Sequence, residues 1–274
     1  MDLEDSINEV FRKIGGNIIL FQRLEYLLKF VIANGNFSGY VSELGDKKAK
    51  RTAYINKQTM GWLVGQYIES SNPSREEFSC EPEELKDMYI SFRTRIECDS
   101  VYYETKKEAL AIMVSERNEL VHHLLPSFDM KSAKSCEEIE SKLDNQADKI
   151  RSEIKELEAT GRLIHEGRKK FIDYLNSREF ELSFLRQSRL VHLLGHIANQ
   201  IGRPDGWTLM SIAGQLIKQN APEELALLKE EFGHKSLMSL ILATELFDVY
   251  EEPTEKGGIR VLYKLKSGWK LIYA

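Results

Sequence analysis

Hydrophobic positions in this chain recur mostly at the three-and-four spacing of α-helices, and only near the C-terminus does the pattern become that of strands. Ile7, Phe11, Ile14, Ile18, Phe21, Leu24, Leu28 and Val31 form one long apolar stripe. Ser6 followed by Glu9 reads as a capping box opening that helix, and Asn34-Gly35 stops it. The pair Gly15-Gly16 inside it implies a close helix crossing or a kink. Residues 35–46 read as a loop. Met60, Leu63, Val64, Tyr67 and Ile68 mark a second helix, closed by Ser70-Ser71-Asn72-Pro73. Pro82 at a first turn, then Leu85, Met88, Tyr89, Phe92 and Ile96, mark a third. A fourth begins near Ser100 and ends at Pro126, with Leu110, Val114, Val121 and Leu124 on its inner face.

Ser135 and Glu138 form another capping pair, after which Ile139, Leu143, Ala147, Ile150, Ile154, Leu157, Gly161, Ile164, Phe171 and Leu175 keep a near-heptad register. Arg168 fills the one remaining slot. The stretch is one very long helix or two broken near Gly161, and it either completes the bundle or pairs as a dimer coiled coil. With about five helices and no convincing strand, residues 1–176 read as an all-α bundle.

Near Asn176-Ser177 the pattern changes. Phe184 to Ile201 reads as a helix, Gly202-Arg203-Pro204-Asp205-Gly206 as a turn, and Leu209, Ile212, Ala213, Leu216 and Ile217 as a short helix. Another helix starts after Pro222, and one more opens at Phe232-Gly233-His234-Lys235-Ser236-Leu237. Phe247-Asp248-Val249-Tyr250 and Ile259-Arg260-Val261-Leu262-Tyr263 then read as two strands around Lys256-Gly257-Gly258. Helices first and a hairpin last is the order of a winged helix-turn-helix. The expected fold class is mainly α: a helical bundle over 1–176 joined to a winged helix-turn-helix over 184–274.

A length of 274 residues suits two domains. The net charge of −5 excludes a global basic field, so any nucleic-acid contact must come from a local patch. One such patch is Lys47-Lys48-Ala49-Lys50-Arg51, read either as a phosphate grip beside the active site or as a solvated helix start. Three widely spaced cysteines, Cys80, Cys98 and Cys136, argue against a disulfide framework and a zinc site. His192 and His196 lie four apart, but no Glu-x-x-His arrangement supports a metal there. No metal or cofactor is expected. The acidic start Met1-Asp2-Leu3-Glu4-Asp5 is unlike a signal peptide and no apolar run is long enough to span a membrane, so the expected location is cytoplasmic.

Arg117 stands out because it falls on the inner face of the fourth helix, three residues after Val114 and four before Val121. Burying a guanidinium there is costly unless an anion meets it, either a carboxylate such as Glu25 or a bound phosphate. Asn118 and His122 share one helix face, whereas Arg117 lies about 140° around the axis from His122. The two converge only if the last turn unwinds or if two copies of the helix face each other.

Arg117, Asn118 and His122 resemble the Arg-x(4-6)-His signature of the HEPN family, in its stricter Arg-Asn-x(3)-His form. The looser spacing also fits Arg186 with His192 and Arg189 with His196. The resemblance implies a metal-independent ribonuclease that works as a homodimer and leaves 2',3'-cyclic phosphate ends. In it His122 or His123 moves the proton, Arg117 stabilises charge on the phosphorus oxygens, and Asn118 positions the phosphate.

Gly206-Trp207-Thr208-Leu209, Phe232-Gly233-His234-Lys235-Ser236-Leu237, Leu240, Phe247-Asp248-Val249 and Ile259-Arg260-Val261 resemble the LOTUS family, also called OST-HTH. That resemblance implies RNA binding, including G-rich RNA, by Arg203, Trp207, His234, Lys235, Lys256 and Arg260. Trp207 would stack a base or plug the core, and the start of the helix after Lys235 would offer free amides to a phosphate. Residues 180–274 hold equal numbers of basic and acidic residues, which departs from a strongly basic RNA binder. The expected function is thus a dimeric endoribonuclease with an RNA-selecting module. The alternatives are a non-catalytic nucleic-acid-binding regulator whose helical domain only dimerises or binds a partner, and a HEPN-like domain that binds a nucleotide or a partner protein without cleaving. An antitoxin partner is left open.

Overall fold

The computed structural model describes residues 2–72, 88–230, 232–255 and 257–268. The chain is mainly α-helical and divides into two compact units, Met1–Lys169 and Lys170–Ala274.

In the first unit α1 (Leu3–Gly35) opens at Asp2, whose carboxylate accepts from the Asp5 amide at 2.8 Å. The anticipated capping box does not start it. Ser6 lies inside the first turn and donates back to the Asp2 carbonyl, while Glu9 pairs with Arg12. A Cβ on Gly15 or Gly16 would meet nothing within 4 Å and α1 runs on through both, so no close crossing occupies that pair. Val10, Phe21, Leu24, Leu28 and Val31 are buried along one face. Buried Asn17 among them donates 2.9 Å bonds to the Leu143 carbonyl and the Gln146 side-chain oxygen.

β1 (Asn36–Tyr40) and β2 (Tyr89–Arg93) pair antiparallel, with Asn36 opposite Arg93 and Tyr40 opposite Tyr89. This corrects two expectations: residues 36–40 are not loop, and residues 89–93 are not helix. The expected start of that helix, from Pro82 to Leu85, lies outside the described residues, as does Cys80. Cross-strand aromatic pairs explain the strands, since Phe37 stacks on Phe92 at 5.3 Å and Tyr40 meets Tyr89 edge-on at 5.5 Å.

α2 (Leu44–Asn56) and α3 (Met60–Ser70) follow β1 in the chain, with Thr59 capping α3. α4 (Ser100–His122) is capped by Asp99, and a short turn of helix, α5 (Leu124–Ser127), contains Pro126. α6 (Ala133–Leu175) is a single uninterrupted helix of 43 residues. Gly161 is not a break in it. A Cβ there would touch the Phe30 ring at 3.4 Å, so the glycine admits a close approach of α1. Ile139, Leu143, Ala147, Ile150, Ile154, Leu157, Gly161 and Ile164 of the heptad face read from the sequence are buried, Cys136 before them is buried as well, and Phe171 and Leu175 at its far end are half-buried. Ion pairs set α4 against α6: Lys106 with Glu153 at 2.7 Å and with Glu156, and Glu116 with Lys149 at 2.6 Å.

In the second unit the expected single helix is two, α7 (Arg178–Arg186) and α8 (Arg189–Ile201). Ser188 makes the break by accepting from the Val191 amide. β3 (Thr208–Leu209), α9 (Met210–Asn220), α10 (Pro222–Glu230) and α11 (Leu237–Thr244) lead to the hairpin of β4 (Phe247–Pro253) and β5 (Ile259–Leu265). The sheet order is β3-β5-β4, antiparallel throughout. Tyr263, fully buried, donates to the Leu194 carbonyl at 2.9 Å and so ties the hairpin to α8. Among the described residues no helix is long and apolar enough to cross a membrane.

Candidate functional site

The motif sits on the last two turns of α4. That helix buries Leu110, Met113 and Leu120, so Arg117 does occupy the inward register, between Met113 and Leu120. It is half-buried. Its bond is to the neighbouring Asn118 side-chain oxygen at 3.2 Å, and among the described residues no carboxylate lies within ion-pair reach of it. Glu25, the carboxylate suggested for it, pairs with Lys29 at 2.6 Å instead. The final turn of α4 does not unwind before His122, so Arg117 and His122 of one chain stay about 140° apart. His122 and His123 are both exposed, their rings 6.1 Å apart. Val121, expected inside, is 45% exposed. Ala111, Ser115, Asn118 and His122 run along one exposed strip flanked by Ile112, Val121 and Leu125, with Glu119 at its edge. Over these last turns the strip itself carries no Asp, Glu, Lys or Arg, although Glu104, Lys107 and Glu108 are exposed on the same face further back.

Lys47, Lys48 and Arg51 do help to form a pocket, but not beside the motif. A hollow of about 430 Å³ is walled by these three residues of α2, by Arg93 of β2, by Arg168 of α6, and by Phe37 and the end of α1. Glu116 faces Lys149 on α6, and Arg168 lies 19 residues further along that helix. At 1.5 Å per residue the pocket is therefore about 28 Å from the level of the motif. Lys50 is exposed on α2 and is not part of the wall. Arg51 donates to the Ile32 carbonyl at 3.0 Å, and Arg168 bonds the Asn34 side chain with its guanidinium 5.3 Å from the Phe37 ring centre. Lys47 pairs with Glu43 at 2.8 Å. Burial, and then the nearby Arg168, hold Lys48 below the ordinary lysine range. Burial likewise pulls Arg51 down. Arg93 and Arg168 were not singled out as ligands from the sequence. The signal for Arg168 was its place as the one charged residue in an otherwise apolar heptad face. Arg93 had none, since its strand was read as helix.

In the second unit Arg203 and Arg260 converge on one carboxylate. Arg203 forks onto Glu252 with bonds of 3.0 and 3.2 Å, and Arg260 lies 3.7 Å from the same group. The Arg203 hydrogen bond holds the Glu252 carboxyl below its usual range. Trp207 is neither a free platform nor a core plug: it is half-buried, with its ring 5.8 Å from that of exposed Tyr250. Lys264, not anticipated, lies across the turn at Gly206. His234 and Lys235 precede α11, where Ser236 and Ser239 form a capping box that occupies the Ser239 amide, so the helix start is less open than expected. Lys256 lies outside the described residues. Among the described residues no cluster of three or more His, Cys, Asp or Glu is placed to hold a metal ion.

Comparison with protein-family models, with curated proteins and with solved structures finds no match to this chain.

Proposed function

We propose that the chain is a metal-independent endoribonuclease that acts as a homodimer through the exposed strip of α4, with the C-terminal unit holding the RNA. The observation that carries this reading is Arg117, a guanidinium in a core register with no carboxylate within ion-pair reach among the described residues. An unpaired half-buried cation is a site prepared for an anion. Twofold packing on this strip would bring Asn118 and His122 of two copies together, and the reading requires the long Arg117 side chain of one copy to extend from its half-buried register to the His122 of the other, an arrangement one chain alone cannot assemble.

In that cleft a His122 imidazole takes the proton of the ribose 2'-hydroxyl, and the oxygen attacks phosphorus. The bond to the 5'-oxygen breaks and a proton returns to that oxygen. The products are a 2',3'-cyclic phosphate and a 5'-hydroxyl, with no net gain or loss of atoms. Arg117 offsets the charge that builds on the non-bridging oxygens, and Asn118 orients the phosphate. An imidazole suits both proton steps because its ordinary pKa lies near neutrality.

The second reading, a non-catalytic nucleic-acid-binding regulator, is favoured by one observation: among the described residues no hydrogen bond fixes the ring of His122 or His123. The two readings separate on RNA cleavage in the presence of EDTA. Wild type should cleave, and His122→Ala should lose roughly 10²- to 10⁴-fold in rate. A folded dimer that cleaves no RNA supports the regulator.

A further inference from the structure

The pocket at the far end of the bundle gathers positive charge. Five cations from three elements face one hollow: Lys47, Lys48 and Arg51 from α2, Arg93 from β2 and Arg168 from α6. No carboxylate is among the described residues that wall it, and Glu43 pairs only with Lys47, at the rim. Such a cluster repels itself and is kept in a fold only where something offsets the charge. Part of the offset is internal. The last turn of α1, the negative end of its dipole, receives Arg51 at the Ile32 carbonyl and Arg168 at Asn34. These bonds fix both guanidinium groups in place before any ligand arrives, which lowers the ordering cost of binding. Lys48 and Arg93 have no ion-pair partner among the described residues. They are the charges left for a ligand.

We propose that this pocket binds a small ligand bearing a chain of linked phosphates, either free polyphosphate or the phosphate tail of a nucleotide. The volume of about 430 Å³ lies in the range of small-molecule sites. Several cations around one hollow suit closely spaced negative charges better than a single carboxylate or a monophosphate. The cations converge rather than form a row, which distinguishes the site from a track for an RNA strand. Both faces of the problem are met by arginine and lysine together, the first giving forked bonds to phosphate oxygens and the second a mobile point charge. This site does not depend on the ribonuclease reading, and binding alone tests it.

The test is calorimetric titration of the full chain with sodium tripolyphosphate, and separately with ATP, at constant ionic strength. The double variant Lys48→Gln/Arg93→Gln removes two exposed, unpaired cations, and an unchanged thermal melt shows that it folds. Lys50→Gln, on the same helix but outside the wall, is the control. Wild type should bind tripolyphosphate saturably, the double variant at least about tenfold more weakly, and the control as wild type. Tighter binding of ATP than of tripolyphosphate supports a nucleotide as the source, and equal binding supports free polyphosphate. No saturable binding below about 1 mM overturns the proposal, as does an equal loss in Lys50→Gln. So does a single-stranded RNA that displaces tripolyphosphate and is weakened as much by the double variant, because the pocket is then a stretch of the RNA path.

Discussion

Lys106 pins the motif helix to the bundle, and its removal should have a cost and a pH signature that can both be worked out. Its ammonium meets Glu153 at 2.7 Å and also bonds Glu156, with side-chain exposures of only 11% for Lys106 and 5% for Glu153. The second oxygen of Glu153 is buried without a partner. Burial pushes the Glu153 carboxyl above its ordinary range even beside the ammonium. Burial also works against the charge on Lys106, but its bonds to Glu153 and Glu156 outweigh that and hold its pKa up. Lys106→Met leaves a buried carboxylate unanswered, which should cost roughly 3–5 kcal/mol. A domain has only about 5–15 kcal/mol in total. Replacing both partners, as Lys106→Met/Glu153→Met, should restore most of the loss or exceed wild type.

The sign with pH follows from the raised Glu153 pKa. The folded state keeps a proton that the unfolded state has released, so the penalty is absent below the unfolded carboxylate value and complete above the folded one. Urea unfolding followed by circular dichroism should show the full loss near pH 7 and a smaller one near pH 5. A loss below about 1 kcal/mol, or one that does not shrink in acid, would refute the reasoning, since an exposed pair behaves that way.

Glu252→Gln should release Arg203 and Arg260 for phosphate, so RNA binding should tighten and its salt dependence steepen by roughly one to two ions. Filter binding across a salt series checks this, and an unchanged slope counts against RNA contact by those two residues. Gly16→Ala, exposed mid-helix with nothing near its Cβ, should stabilise the chain by about 0.5–1 kcal/mol in the same urea assay. Tyr263→Phe removes the bond to the Leu194 carbonyl, at a cost of about 1 kcal/mol and with no effect on RNA cleavage rate. A drop in rate at saturating RNA would connect that hairpin to the chemistry.

What could be read from the sequence was what local periodicity determines. The face of α6 was legible from Ile139 to Ile164 because a helix repeats its contacts every turn, and β4 and β5 because their β-branched and aromatic runs flank a Gly-Gly turn. β1 and β2 were not, since Tyr89 finds Tyr40 some fifty residues away and five-residue segments of mixed polarity carry too short a period to separate strand from helix. The break between α7 and α8 turned on one serine hydroxyl. In the candidate site the inward register of Arg117 was legible. The pairing of Arg203 and Arg260 was not, because Glu252 reaches them through strand register, with Glu252 opposite Arg260. The basic run of α2 was seen, but its distance from the motif depends on how α4 and α6 align, which long-range contacts such as the Lys106 and Glu116 ion pairs reveal.

The central claim is that catalysis needs Arg117 from one copy and His122 from another. Subunit mixing tests it directly: Arg117→Ala and His122→Ala are each purified, shown to be inactive on RNA, then combined under conditions that exchange subunits. A composite cleft predicts that the mixture regains cleavage, because the mixed dimer retains one intact Arg117–His122 pairing across its interface. A mixture that exchanges subunits yet stays as inactive as its parts, while wild type cleaves, would contradict it.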